Sequence, residues 1–356
     1  MQRFPLIDVL RGFAALLVVF YHVLAHREWP GFPSGGLAEL PKTGWVGVDL
    51  FLVISGFVIS HTALNGHAKG GEWRQAYFER RLRRIVPLYL ATMAAYMFLV
   101  NPDVLRLAWM PVWHILSHLG FVHNLWHETH GSINSPNWSV GLEMQFYVLI
   151  AIATPWIARS PLWKVFAVWA SIGLAWRFGS TLVFLPGSSN PMLQFIYASQ
   201  LPGTLDEFVF GICIAKLLHG GHLAYSPQRL AAWAAAAAAL LTLASLTAVP
   251  EAQYWKSCLS IILWRPLACA GFACLIACVV MLPIDGGWIM RPLRYLGEIS
   301  YGIYLWHIPI LLTLLEKTPW QGKTLLTATL GCTLILAALS WHGFEKHWMI
   351  KPTTTA

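Results

Sequence analysis

Residues 6–25 read L-I-D-V-L-R-G-F-A-A-L-L-V-V-F-Y-H-V-L-A. About twenty apolar-dominated residues are enough to cross a bilayer as a helix. This run nevertheless carries Asp8, Arg11 and His22. Arg11 and His22 stand eleven positions apart. At about 3.6 residues per turn that is almost three whole turns, so both project from one face. A rise of about 1.5 Å per residue separates them by roughly 16 Å along the axis. The helix thus holds a cation toward one membrane surface and an imidazole toward the other. A charge at the bilayer centre costs roughly 2.5–3.5 kcal/mol on insertion scales. Such a face either lines a protein interior or a wet pathway, or lets Arg11 snorkel to one interface and His22 sit in the other.

The rest of the chain agrees with a membrane solvent. Of its 356 residues 57% are hydrophobic and 11% are charged, against roughly 25% charged in soluble domains. This excludes an ordinary soluble enzyme. The 19 Trp and 11 Tyr suit interfacial belts. The net charge of +8 belongs to topology rather than to nucleic-acid binding. The cysteines (213, 258, 269, 274, 278 and 332) lie in or beside apolar segments and form no C-x-x-C pair. They read as packing residues, with no metal or disulfide framework. Arg11 interrupts the first apolar run and no A-x-A-type site closes it, which predicts an uncleaved first span.

Apolar periodicity predicts an all-α integral membrane protein of about ten transmembrane helices, near 6–25, 45–64, 86–101, 138–157, 162–178, 202–219, 229–248, 265–283, 294–315 and 324–343. Residues 1–345 form one transmembrane domain and 346–356 a short cytoplasmic tail. Lys and Arg concentrate in the segments that share a side with the termini, above all Arg74, Arg80, Arg81, Arg83 and Arg84. The positive-inside rule then places both termini in the cytoplasm.

Chemistry-bearing residues recur inside the spans. Asp49 lies near the outer end of the second. Arg80, Arg81, Arg83 and Arg84 precede the third, with Pro87 suited to its first turn. Four guanidiniums so close can bind phosphate oxygens bidentately or anchor anionic lipid heads. The long segment 102–137 holds His114, His118, His123, His127 and His130. Two pairs have i,i+4 spacing, yet the aromatic, apolar context reads as an interfacial helix, and no carboxylate or cysteine reinforces a metal site. The fourth span opens N-S-P-N-W-S-V-G-L-E-M-Q-F-Y, with Ser139 as a possible cap, Glu143 a turn inside, then Gln145 and Tyr147. Asp206 and Glu207 mark the outer end of the sixth span. The ninth reads R-Y-L-G-E-I-S-Y-G-I-Y-L-W-H-I-P, where Glu298 and His307 face different sides.

Taken together these stretches resemble the membrane-bound acyltransferase family 3, whose members include bacterial O-acetyltransferases. Arg11 and His22 match its R-x10-H helix. Gly47 to Phe57, G-V-D-L-F-L-V-I-S-G-F, matches its second-span segment. Arg80 to Tyr89 resembles its arginine-rich element, Trp138 to Tyr147 its W-S-x-x-x-E-x-x-F-Y element, and Ser300 to His307 its S-Y-x-I-Y-L-x-H element. Gly141 and Met144 depart from the residues many members carry. Some members append an SGNH hydrolase-like domain; this chain stops soon after the tenth span, so the stand-alone form is expected.

The resemblance implies acyl-CoA, usually acetyl-CoA, as cytoplasmic donor. It makes Arg80, Arg81, Arg83 and Arg84 candidates for the CoA phosphates and Arg11 for the inner end of the donor path. It implies His22 as the catalytic base, which suits neutral imidazole chemistry. Glu143 is then a candidate to orient His22. Asp8, Asp49, Ser139, Tyr147 and His307 are candidates for binding the acceptor or shaping the cavity. The expected acceptor is a saccharide or another hydroxyl-bearing envelope or secreted molecule, and the expected location is a bacterial inner membrane. No metal and no nucleic acid is expected; the oligomeric state stays open. The alternative is a proton-coupled transporter or flippase, which intramembrane Arg, His, Glu and Asp would equally suit.

Overall fold

The computed structural model describes residues 4–33, 39–105, 110–185, 190–249, 251–282, 284 and 287–349. Most of the described residues are helical, with no strand among them. The main helices are α1 (Pro5–His26), α2 (Gly47–Lys69), α3 (Trp73–Ala95), α4 (Met110–Leu119), α5 (Asn137–Arg159) and α6 (Leu162–Phe184). They continue with α7 (Leu201–His219), α8 (Pro227–Leu246), α9 (Arg265–Met281), α10 (Arg291–Glu298), α11 (Ser300–Lys317) and α12 (Gly322–Ser340). Among the described residues eight helices are long and apolar enough to span a membrane. A ninth span forms if α10 and α11, bent by 64° at Ile299, cross together. The sixth expected span, α7, carries Asp206, Glu207 and Lys216, and packs among the others. The chain is an all-α integral membrane protein.

Burial ranks the helices. The α2 window is 78% buried and that of α9 is 67%, whereas α8 is 11% buried. Thus α2 and α9 form the centre, and the alanine-rich α8 lies at the periphery. Large side chains of α6, including Trp163, Ile172 and Leu182, are exposed, as a lipid-facing helix requires. The α2–α7 crossing is the most extensive helix contact and is made possible by two facing glycines. A Cβ on Gly56 would collide with the Phe208 carbonyl, and one on Gly211 with the Val53 carbonyl. With little hydrophobic drive between helices in lipid, close backbone approach supplies the packing.

Two boundaries differ from expectation. The arginine-rich stretch is not a loop: α3 begins at Trp73 and runs through it, then passes into a π turn at Tyr96–Val100. Pro87 therefore stands inside the helix rather than in its first turn. Beyond α12, a π turn at Trp341–Glu345 leads into the helical Lys346–Met349. The rest of the expected tail, 350–356, lies outside the described residues.

Segment 110–136 is a folded cap rather than a single interfacial helix. After α4 the chain turns irregularly, and its buried carbonyls need donors. Side chains supply them. Tyr89 Oη donates to His118 O (3.2 Å), Gln145 Nε2 to Phe121 O (2.9 Å), Gln200 Nε2 to Leu125 O (3.0 Å) and Thr129 Oγ1 to His123 O (2.6 Å). His118 and His123 stack at 3.9 Å between ring centroids. Burial pushes the imidazoles down, His118 to about 4, His130 to about 3 and His123 to about 2, with His118 adding repulsion on the last two. Among the described residues no three His, Cys, Asp or Glu side chains are placed to share a metal ion.

Candidate active site

Helix α1 lines two cavities, with Arg11 in one and His22, flanked by Tyr21 and His26, in the other. The first, about 80 Å³, is lined by Arg11, by Arg81 and Arg84 of α3, by Ser139, Glu143 and Tyr147 of α5, and by Ser300, Tyr301 and Tyr304 of α11. One wall is an α2 stripe, Val48, Phe51, Leu52, Ser55, Val58 and Ile59, apolar but for Ser55 and spaced at three and four residues as one helix face requires. Three guanidiniums face one carboxylate here, so the cavity is cationic. Glu143 Oε1 accepts from Ser55 Oγ (2.9 Å) and Tyr147 Oη (2.8 Å). Arg81 reaches Thr62 Oγ1 (3.3 Å) and lies over the Tyr147 ring at 5.5 Å.

The second cavity is larger, about 720 Å³, and opens on the capped side. His22 lines it, together with Tyr21, His26, Trp45, Trp138, Phe195, Trp255 and Tyr304. The cap contributes His127, Glu128 and His130. Flat aromatic walls with scattered hydrogen-bonding groups suit a bulky polar ligand that has apolar faces. Val48 and Tyr304 line both cavities. Tyr304 Oη is 2.7 Å from Ser139 Oγ, which ties the shared Tyr304 side chain to a residue of the first cavity.

The candidate residues separate. Arg11 and His22 lie on one helix and serve different cavities, as their spacing requires. Ser139 and Tyr147 line the arginine cavity; Ser139 does not cap α5, whose N-cap is Pro136. Of the four clustered arginines only Arg81 and Arg84, three apart, face inward. Arg80 is exposed, and Arg83 pairs with Glu79 at 2.9 Å one turn earlier, so neither lines the cavity. Asp8 lines neither cavity; its backbone lies at the α1–α10 crossing, against Gly297. Glu143 does not orient His22. Its carboxylate belongs to the arginine cavity, and the side-chain partner of His22 Nδ1 is His307 Nε2 at 3.2 Å. His307 itself is fully buried behind His22 and lines neither cavity.

Asp49 is also not a cavity residue. It pairs with Arg265 (Nε to Oδ1, 3.4 Å) inside a buried network. Arg265 also meets Glu207 (3.4 Å), which faces Arg177 (3.7 Å), which pairs with Asp206. Arg265 lies over the rings of Trp45 and Trp255 at 5.5 and 5.1 Å and touches the second cavity. The sequence reading does not single out Arg177 or Arg265. The available signal was reciprocal: two cations beside spans that hold three acids need partners at membrane depth.

Comparison with known proteins agrees with this architecture. A sequence profile described as "Acyltransferase domain" matches residues 4–342. The chain is similar to the peptidoglycan O-acetyltransferase OatA of Listeria monocytogenes, with 24% identity over 96% of this chain and 55% of that protein. It is similar to YrhL of Bacillus subtilis, with 27% identity over 96% of this chain and 54% of the relative. The acyltransferase MdmB of Streptomyces mycarofaciens is 26% identical over 62% of this chain and 58% of its own length. The chain thus spans about half the length of the first two of these relatives.

Proposed function

The chain belongs to the acyltransferase family whose domain it matches over residues 4–342, and we propose that it is a membrane O-acyltransferase. It moves an acyl group, in the first instance acetyl, from cytoplasmic acyl-CoA to a hydroxyl of a saccharide. The relatives support the acceptor class, one being named a peptidoglycan O-acetyltransferase. The bacterial sources of these relatives support a bacterial plasma-membrane location, with the termini cytoplasmic by the positive-inside rule.

The observation that carries this reading is the pair of cavities meeting at Val48 and Tyr304. Arg11, Arg81 and Arg84 receive the phosphate-bearing donor through charge-assisted hydrogen bonds. The thioester end of the donor reaches the Val48–Tyr304 partition, and the acceptor occupies the aromatic chamber on the other side. His22 removes the proton from the acceptor hydroxyl as its oxygen attacks the thioester carbonyl carbon. The tetrahedral intermediate collapses, the C–S bond breaks, and the proton held by His22 passes to the departing CoA thiolate. The products are an ester and free CoA, and His22 is again neutral. The transfer is direct in this reading, with no acyl-enzyme between donor and acceptor.

The test is purified protein in vesicles supplied with acetyl-CoA. An acyltransferase releases CoA, slowly to water and faster when an acceptor saccharide is added, and His22→Ala abolishes both. A carrier moves solute and leaves acetyl-CoA intact, which would overturn the reading.

A further inference from the structure

Behind His22 the structure holds a second imidazole that no surface reaches. His307 Nδ1 lies 2.6 Å from the Tyr304 carbonyl oxygen. A carbonyl only accepts, so the ring proton of neutral His307 sits on Nδ1 and Nε2 is a lone pair. That lone pair faces His22 Nδ1 at 3.2 Å. His22 Nδ1 is also 2.9 Å from the Val18 carbonyl oxygen. Two acceptors converge on one nitrogen, which must therefore carry the His22 proton.

We propose that His307 is the positioning residue of His22, holding the proton on Nδ1 so that Nε2 is the nitrogen that acts as base. The proposal rests on His22 being the base of the reaction above. When His22 Nε2 takes the hydroxyl proton, Nδ1–H keeps His307 Nε2 as its acceptor. The imidazolium is then stabilised by a neutral hydrogen-bond partner, where a serine-hydrolase triad uses a carboxylate. The fold holds His307 for this task. Pro309 has no N–H to give to the Leu305 carbonyl, and Asn134 Nδ2 of the cap donates there at 3.0 Å. Asn134 adopts φ 55°, the left-handed conformation that asparagine tolerates. The cap is thus bonded to α11 within one turn of His307.

Two readouts test this on the full chain. Nitrogen NMR of histidine-labelled protein, assigned with His22→Gln, reads the tautomer without needing turnover. The expected spectrum has His22 protonated at Nδ1 and bare at Nε2, and His307→Leu shifts the Nδ1 resonance. Turnover of acetyl-CoA is the second readout. His307→Leu lowers kcat by about 10–100-fold, with KM for acetyl-CoA unchanged. His307→Gln, whose amide oxygen can accept from Nδ1–H, restores a large part of the loss. A His22 proton on Nε2, equal losses in both variants, or wild-type turnover in both overturns the proposal. If no variant and no wild type turns over acetyl-CoA, the acyltransferase reading fails, and the spectrum still decides the wiring.

Discussion

At the scale of single residues, the site depends on which face each side chain takes. Arg11 and His22 were legible because their spacing is a property of the helix alone. The arginine cluster was legible as a group but not member by member: Arg81 and Arg84 line the cavity, while Arg80 and Arg83 do not. Its placement inside a helix, rather than ahead of one, is what divides the pairs. Asp49 and His307 were legible as unusual residues, yet their partners, Arg265 and His22, come from distant spans, and no local pattern announces such contacts. Val48 carries no chemistry, so nothing in the sequence marks it as part of the partition. Its position makes a prediction. Val48→Trp closes the passage beside Tyr304, leaves acetyl-CoA binding near wild type, and lowers CoA release more than about tenfold, a loss in kcat rather than in donor affinity. Binding and turnover measured on the same preparation check it.

At the scale of elements, three devices hold the helices around the site, and each is testable. The Gly56–Gly211 contact sets the α2–α7 distance. Gly211→Leu forces the helices apart and costs at least about 1–3 kcal/mol, read as a lower unfolding temperature in detergent. The Arg177–Asp206–Glu207–Arg265–Asp49 network ties α2, α6, α7 and α9 together. Removing one member leaves buried charge without its partner, so Arg177→Met destabilises by about 3–5 kcal/mol. The cap contributes a pH dependence. Two of its buried histidines are held neutral, His118 down to about 4 and His130 to about 3. In the unfolded chain they take up protons near pH 6.5. The folded state binds fewer protons, so cap stability is full above about pH 6.5 and falls as pH drops toward the folded values. Unfolding temperature against pH from 7 to 4 should show this slope, about flat above 6.5, and His118→Phe should reduce it.

At the scale of the whole molecule, composition and period were enough for the fold class, because a bilayer demands long apolar helices. The bend of 64° between α10 and α11 was not legible, since their sequence reads as one apolar span. Nor was the cap, whose carbonyls are satisfied by side chains from other helices rather than by a local pattern. What the assembled molecule adds is a division of labour, a cationic cavity at Arg11 and a chamber at His22, residues about 16 Å apart along α1, the two spaces meeting at Val48 and Tyr304. That division is the central claim, and one measurement addresses it most directly: acetyl-CoA affinity and CoA release for wild type, His22→Ala, Arg81/Arg84→Ala and Arg80/Arg83→Ala. The account predicts that His22→Ala binds acetyl-CoA normally and releases no CoA. Arg81/Arg84→Ala loses affinity by at least about a hundredfold, two charge-assisted contacts at about 1.5–3 kcal/mol each. Arg80/Arg83→Ala stays near wild type in both. If the outer arginine pair weakens binding as much as the inner pair, or if His22→Ala still releases CoA at the wild-type rate, the two-cavity account is contradicted.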